Sequence, residues 1–576
     1  MKIANIKSGL LILLCAGSIA GSAQAPMRKF SVNGAARGMF YGDQLDQDLV
    51  QEDTITVPRL NGGHVLADLG LNIRPNKWME IQGMVRVRND YGGFWGSGVT
   101  FDIRQMYVKG IIGGIVRYQL GDINYKMTPY TLWNADQEFF QSSPAIFRQQ
   151  WDVVNYDHFY DQSNSWRQQG GATEFGFVFK KWLQELNFGA VATRVKASDN
   201  NSVNDRLFAG YSLSLLQSKY LQLGINHANL FDIEGTSRNT SVFRNPVYTY
   251  TVKAQWSNNQ WATVLKGEAG KSSSFYDGNN EAPILNGTFQ EGNLNVENKN
   301  TGLFVNAIAK RVSPDFNSPG AQTKRIRFGQ LPAAFDRITN DQVLRNASII
   351  DLMRESSMYN LQLSPYLMTF SPKYDNITPY GDATPNRQGI TAELGWKSKD
   401  KKWLISAKQM MLQEMRGEGT IEPRKYSRMQ VNARYATDTL LSAWKRGMEL
   451  EVSYRTDATT RPGAEMYRGV DLKTNCIAAG ATIELVENLD LLAGYQKVEY
   501  VGFDFVAVKD QYAQIYNFTE YSVDGSETMK AIGLRYRFGE KSHLSAQLNK
   551  YDVIDNTDKS VDYHINQLML LYSLKF

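Results

Sequence analysis

Residues 447–455 read GMELEVSYR. Successive side chains of an extended chain point to opposite faces. Met448, Leu450, Val452 and Tyr454 therefore share one side, and Glu449, Glu451, Ser453 and Arg455 the other. The same period of two recurs outward along the chain. Met79, Ile81, Val85 and Val87 oppose Glu80, Gln82, Arg86 and Arg88. Tyr248, Tyr250, Val252, Ala254 and Trp256 oppose Thr249, Thr251, Lys253 and Gln255. Ile532, Leu534, Tyr536 and Phe538 oppose Arg535 and Arg537. Each segment has an apolar face with an aromatic near one end, and a face of charges and amides. The segments run about 9–12 residues, longer than the ~5–6 of ordinary globular strands and enough to cross a ~25 Å apolar band at a tilt.

The connections alternate in length. Short ones lie at 75–77, 113–114, 218–219, 257–259, 399–401, 487–488 and 539–541. Long ones are expected at 43–60, 89–98, 124–167, 232–244, 271–299, 415–425, 458–468, 502–525 and 555–561. Short turns on one rim and long loops on the other are the layout of a transmembrane barrel. Counting segments predicts about 22 strands, within a range of 20–24, in an all-β, antiparallel up-and-down barrel with long extracellular loops and little helix. The pattern is weakest over 313–387, where Lys324 to Phe328 reads as a strand and Asn340 to Ser356 as a helix.

The chain closes on Leu568, Leu570, Tyr572, Leu574 and Phe576, an alternating strand with a terminal Phe. This resembles the C-terminal insertion signal of Gram-negative outer-membrane β-barrel proteins. The resemblance implies a porin-like barrel in the outer membrane, with Tyr572 and Phe576 as its assembly signal. It also implies contact with outer-membrane lipids and lipopolysaccharide, and with the barrel assembly machinery during insertion. A last strand must close the wall, so it needs a clean lipid face and a paired edge.

The beginning of the chain supports export. Lys2 and Lys7, an apolar core from Leu10 to Ala16 and small residues up to Ala23 form a secretory signal peptide over 1–23. Residues 24–576 are then expected to be one barrel domain, with no N-terminal plug and no periplasmic domain. Of the two cysteines, Cys15 lies in the leader and only Cys476 remains, which leaves no intramolecular disulfide and no cysteine-based zinc site. No later run approaches the ~18 apolar residues of a spanning helix. Without the two leader lysines the formal net charge of +5 falls to 5 − 2 = +3, and that near-neutral balance argues against nucleic acid as a partner.

Two groups of residues are candidates for function. The inward faces offer Arg86, Arg88, Arg104, Arg117, Glu449, Glu451, Arg455, Arg535 and Arg537, with Glu80, Arg194 and Glu393 beside them. These charges either line a solvated lumen or pair across strands to hold the wall. Both signs occur, so no strong ion preference is expected. The loop 124–167 is the second group. It carries Trp133, Phe139, Phe140, Trp151, Tyr156, Tyr160 and Trp166 among eleven aromatics. It either constricts the lumen, stacks sugar rings, docks a partner or packs on its own small core. Asp43, Asp46, Asp48, Glu52 and Asp53 form an acidic first loop suited to Ca²⁺ or lipopolysaccharide bridging, or simply to solvation. None of the five histidines has metal-ligand spacing, and only His543 and His564, on the last two strands, have a chance of meeting. No metal, cofactor or enzymatic site is expected. Two functions follow: a porin-like channel for small polar solutes, partly constricted by its loops, or a non-conducting barrel subunit of an outer-membrane assembly, secretion or surface-binding complex with envelope protein partners.

Overall fold

The computed structural model describes residues 29–46, 59–92, 98–134, 143–158, 168–278, 283–323, 326–328, 347–354, 358–360, 363–438, 446–463, 469–509, 515–559 and 562–576. The signal peptide, Asp48, Glu52, Asp53, Phe139, Phe140, Tyr160 and Trp166 lie outside the described residues.

Twenty-two strands form one closed sheet. In chain order they are β1 (Phe30–Asp46), β2 (Arg59–Asn76), β3 (Met79–Asp90), β4 (Val99–Ile112), β5 (Val116–Ile123), β6 (Gln168–Val178), β7 (Glu185–Lys196), β8 (Arg206–Leu216), β9 (Leu221–Asp232), β10 (Val242–Ser257) and β11 (Trp261–Asp277). They continue with β12 (Leu285–Asn298), β13 (Leu303–Val312), β14 (Arg387–Lys397), β15 (Trp403–Gln413), β16 (Lys425–Thr437), β17 (Met448–Arg461), β18 (Val470–Val486), β19 (Leu489–Lys509), β20 (Ile515–Gly539), β21 (Ser542–Asp555) and β22 (Tyr563–Lys575). Every strand pairs antiparallel with its chain neighbours, and β22 returns to β1. Closure leaves no unpaired edge, which a bilayer core would penalise heavily.

The burial pattern is that of a water-soluble protein turned inside out. On β17 Val452 is 50% exposed, while Glu451 and Arg455 are 8% and 7% exposed. The apolar face of the 447–455 alternation therefore faces outward, and the charged face inward. Trp78, Tyr220, Trp256, Trp261, Trp403, Tyr536, Phe538 and Phe576 are exposed along the short-turn rim. They make the aromatic girdle expected where a barrel meets an interface.

Strand ends explain the differences from the expected loops. β11 and β12 run deep into 271–299, and β19 and β20 occupy most of 502–525, at 17, 14, 21 and 25 residues. Their outward faces admit polar residues beyond the apolar band, such as Lys271, Gln290, Glu499 and Lys530, which blurs the period of two without breaking the ladder. Within 313–387 Ile326 makes only an isolated bridge to Tyr359, and the described helix is α2 (Ile349–Leu352), one turn long. Asp43 and Asp46 belong to β1 and not to a loop.

Candidate functional site: the lumen and its inward segments

Twenty-two strands ~4.8 Å apart and tilted by ~40° enclose a circle roughly 40 Å across, too wide for wall side chains to fill. Two long connections enter this space. One follows β5 and contains the helix α1 (Ala145–His158). The other, between β13 and β14, contains α2.

The α1 helix lies against the inner faces of β18, β19 and β20. Its apolar side chains Ile146, Phe147 and Val154 join Ile349, Ile350 and Leu352 of α2 and the wall residues Leu492, Val498, Met529 and Ile565 in one buried cluster. Polar contacts surround that cluster. Ser545 donates to Gln149 Oε1 at 2.6 Å, and Gln150 donates to the Tyr551 hydroxyl at 3.1 Å. The segment before α1 forms a second cluster on the opposite side. Tyr130 is fully buried and stacks on Phe289 with ring centroids 3.8 Å apart, beside Phe208, Phe243 and Phe316.

Most of the candidate charges are tied into ion pairs. Arg86 binds Asp68, its direct cross-strand neighbour, through two hydrogen bonds of 2.8 Å, and lies 3.2 Å from Asp157 at the end of α1. Arg104 points inward next to the outward Ile103, and it is the extra residue of a bulge on β4, so that Gln105 after it pairs with Met84. It lies 3.3 Å from Asp68, donates to the Tyr156 carbonyl, and covers the Tyr156 ring at 4.2 Å. Arg88 pairs with Asp90 at 2.9 Å. Glu449 pairs with Arg434 at 2.6 Å, and Glu451 reaches Arg148 of α1 at 3.4 Å. Arg455 pairs with Asp457 at 3.1 Å and donates to the Tyr374 carbonyl. Arg535 and Arg537 share Asp490, and Arg537 also reaches Glu484 at 2.7 Å. Arg117 is exposed near the short-turn rim.

The aromatic candidates separate in role. The Tyr156 hydroxyl donates to Asp68 at 2.6 Å, so it belongs to the same network as Arg86 and Arg104. Trp151 packs against the α1–α2 cluster. Trp133 is half-buried, its backbone N–H donating to Gly320 and its ring lying under Lys126 at 5.1 Å. Tyr572 and Phe576 are exposed on the outer surface.

Several residues of the network were not singled out from the sequence. Arg37 donates to Asp157 at 2.6 Å and to His64 at 2.9 Å. Lys373 and Tyr374 both donate to Glu527, at 2.8 and 2.6 Å. Arg428 binds Asp457 at 2.7 Å and Asp375 at 3.0 Å. Arg354 pairs with Asp43, which also accepts from Gln567 at 2.9 Å. A lone charge in the inward register of a strand was the available signal; its partner across the lumen was not. Asp43 is accordingly a buried anchor and not part of a solvated acidic loop. His543 and His564 do not meet: His543 is opposite Ser573 and His564 opposite Asp552, near opposite ends of the strands. Among the described residues no three His, Cys, Asp or Glu side chains converge to hold a metal.

Outside the membrane-spanning strands, Asp157 carries the clearest electrostatic signature. Burial pushes its carboxyl up, but the Arg37 and Arg86 guanidiniums outweigh that and hold it below the usual carboxylate range.

No protein-family model matches the chain, and no curated protein matches it. Among solved structures it is similar to OccK8 (OprE) of Pseudomonas aeruginosa, with 9% identity over 95% of this chain and 98% of that one, at a TM-score of 0.36. A BenF-like porin from Pseudomonas fluorescens Pf-5 shows 10% identity over 96% and 100%, at a TM-score of 0.36. A loop L8 deletion mutant of OmpT, an outer membrane protein of Vibrio cholerae, shows 9% identity over 95% and 100%, at 0.26. Strand pairing and the inverted burial pattern, rather than these likenesses, establish the barrel.

Proposed function

We propose that this chain is an outer-membrane channel of porin type for small polar solutes, narrowed by the two segments folded into its lumen. One observation carries the reading: the filling of the lumen is lopsided. The helix α1 covers the inner faces of β18–β20 and the segment before it packs on the long-loop ends of β10–β13, whereas in the short-turn halves of β10–β15 inward Lys253, Lys266, Asn293, Asn295, Asn306, Glu393 and Lys408 remain half-exposed or exposed. A polar, accessible strip beside a packed one is what a restricted aqueous path needs. The mixed signs on the wall favour solute shape and hydrogen bonding over simple ion selectivity.

The test is planar-bilayer conductance of the purified full chain, followed by deletion of residues 132–162. The parent should conduct weakly, and the deletion should raise single-channel conductance clearly. A folded deletion with unchanged conductance, in a parent that conducts, would remove the constriction.

A second reading is a non-conducting subunit of an envelope complex. It is favoured by β19 and β20, whose distal ends leave Val501, Phe503, Tyr516 and Phe518 exposed beyond the apolar band. Exposed apolar residues at that height suit a protein partner. Co-purification of a stoichiometric partner in mild detergent, with no conductance from the isolated barrel, would favour it.

A further inference from the structure

Opposite charges face each other directly across much of the inner wall: Asp68 and Arg86, Arg428 and Asp457, Asp490 and Arg535. On β10, β11 and β12 the rule reverses. Lys253 stands directly opposite Lys266, and Glu268 directly opposite Glu291. Lys266 and Glu268 are two residues apart on β11, so all four side chains face the lumen. Like charges directly opposed destabilise a sheet. Exchanging Lys253 with Glu291 alone would have produced two opposite-charge pairs in the same register. Among the described residues none of the four forms an ion pair. Lys266 is exposed and the other three are half-buried, so water and small solutes reach them.

The segment that enters the lumen after β5 completes the arrangement. The Thr128 hydroxyl donates to Glu268 Oε1 and the Tyr130 hydroxyl to Glu291 Oε2, each at 2.6 Å. Tyr130 is itself fixed by its stack on Phe289. The two carboxylates are therefore held in place by hydroxyls, which carry no opposite charge. Glu291 also stands directly opposite Lys310 of β13, but Lys310 pairs with Asp382 at 3.4 Å, so three carboxylates share that one ammonium.

We infer that this wall binds a zwitterionic solute of about dipeptide length, its carboxylate between Lys253 and Lys266 and its ammonium between Glu268 and Glu291. The two charge rows are two residues apart along the strands, roughly 7 Å, and the termini of an extended dipeptide lie about as far apart. A solute with both charges relieves both repulsions at once. A simple anion or cation relieves only one. This inference rests on the channel reading, because it makes the site a selective station on the accessible side of the lumen.

The experiment uses the purified full chain in detergent and in liposomes. Calorimetric titration with alanyl-alanine is compared with N-acetylalanine, which keeps only the carboxylate, and with alaninamide, which keeps only the ammonium. Sucrose entry into liposomes reports separately on whether the barrel conducts. Alanyl-alanine should bind, and each single-charge analogue should bind roughly tenfold or more weakly, as expected for loss of one charge-assisted contact. Lys253→Gln/Lys266→Gln and Glu291→Gln should each weaken alanyl-alanine by about tenfold, and Lys253→Arg/Lys266→Arg should restore it. Equal binding of all three probes would overturn the site. So would no alanyl-alanine binding by a barrel that admits sucrose. Alanyl-alanine binding by a barrel that admits no solute would keep the site and overturn the channel; neither binding nor entry would overturn both.

Discussion

Gly480 of β18 and Gly494 of β19 stand directly opposite each other and form a flat seat for the start of α1. A Cβ on Gly480 would come within 2.6 Å of Pro144, and one on Gly494 within 2.6 Å of Ile146 and 2.8 Å of Phe147. The helix touches the wall backbone here because both positions lack a side chain. Substituting Gly494 by Val should therefore unseat α1 while the barrel still forms. The expected result is faster amide exchange over 145–158 and higher conductance; unchanged exchange would show that the seat has slack.

The far end of α1 is held by charge. Asp157 meets Arg37 at 2.6 Å and Arg86 at 3.2 Å. Its carboxyl titrates below the ordinary value of ~3.9, so its contribution to docking is complete above that value and is lost as the pH falls through the lowered one. Amide protection of α1, corrected for intrinsic exchange, should thus hold from neutral pH down to about pH 5. Asp157→Asn should loosen the helix at neutral pH by about 2–4 kcal/mol, since it leaves the buried Arg37 guanidinium without its acidic partner, while Arg86 keeps Asp68. Loss of protection already between pH 7 and 5 would implicate a different group.

The wall predicts a contrast between neighbours. Val452 faces outward and Glu451 inward, where it reaches the half-exposed Arg148. Val452→Arg should cost roughly 2–4 kcal/mol if mid-membrane, and Glu451→Gln much less. A folding titration in which both are tolerated equally would mean that the faces are reversed.

Assembly of the barrel should be sensitive to the end of its closing seam. Phe576 and Gly34 exchange two backbone hydrogen bonds, of 3.0 and 3.1 Å, at the end of the β1–β22 seam. Deleting Phe576 removes both and should lower the inserted, heat-resistant fraction at native expression. Gly34→Val should do the same by another route, because its Cβ would fall 2.1 Å from the Asp68 carbonyl oxygen. Normal assembly of both variants would dismiss the seam as a determinant.

Orientation can be read from two cysteines. Ile421, 99% exposed in the connection between β15 and β16, lies on the long-loop rim, and Asp400 lies in a short turn. In a Cys476→Ser background on intact cells, Ile421→Cys should label with an impermeant reagent and Asp400→Cys should not. The reverse pattern would invert the barrel.

The strands and their faces were legible in the sequence because lipid and water impose a period of two that each segment carries alone. The strand number and the seam strand at the C-terminus follow from the same local signal. The lumen was not legible. Arg86 and Asp157 are 71 positions apart in the chain, and Lys373 and Glu527 are 154 apart; only closure of the sheet brings such groups together. Gly170 and Gly171 show the same limit. They follow a long connection, where glycines commonly mark a turn, but they lie within β6, and a Cβ on Gly170 would meet the backbone of β7 at 2.0 Å. Local alternation decided which residues face inward. The tertiary structure alone decided which inward charges neutralise one another and which, like Lys253 and Lys266, are set against their own kind, because register across strands is a property of the closed sheet and not of any one strand.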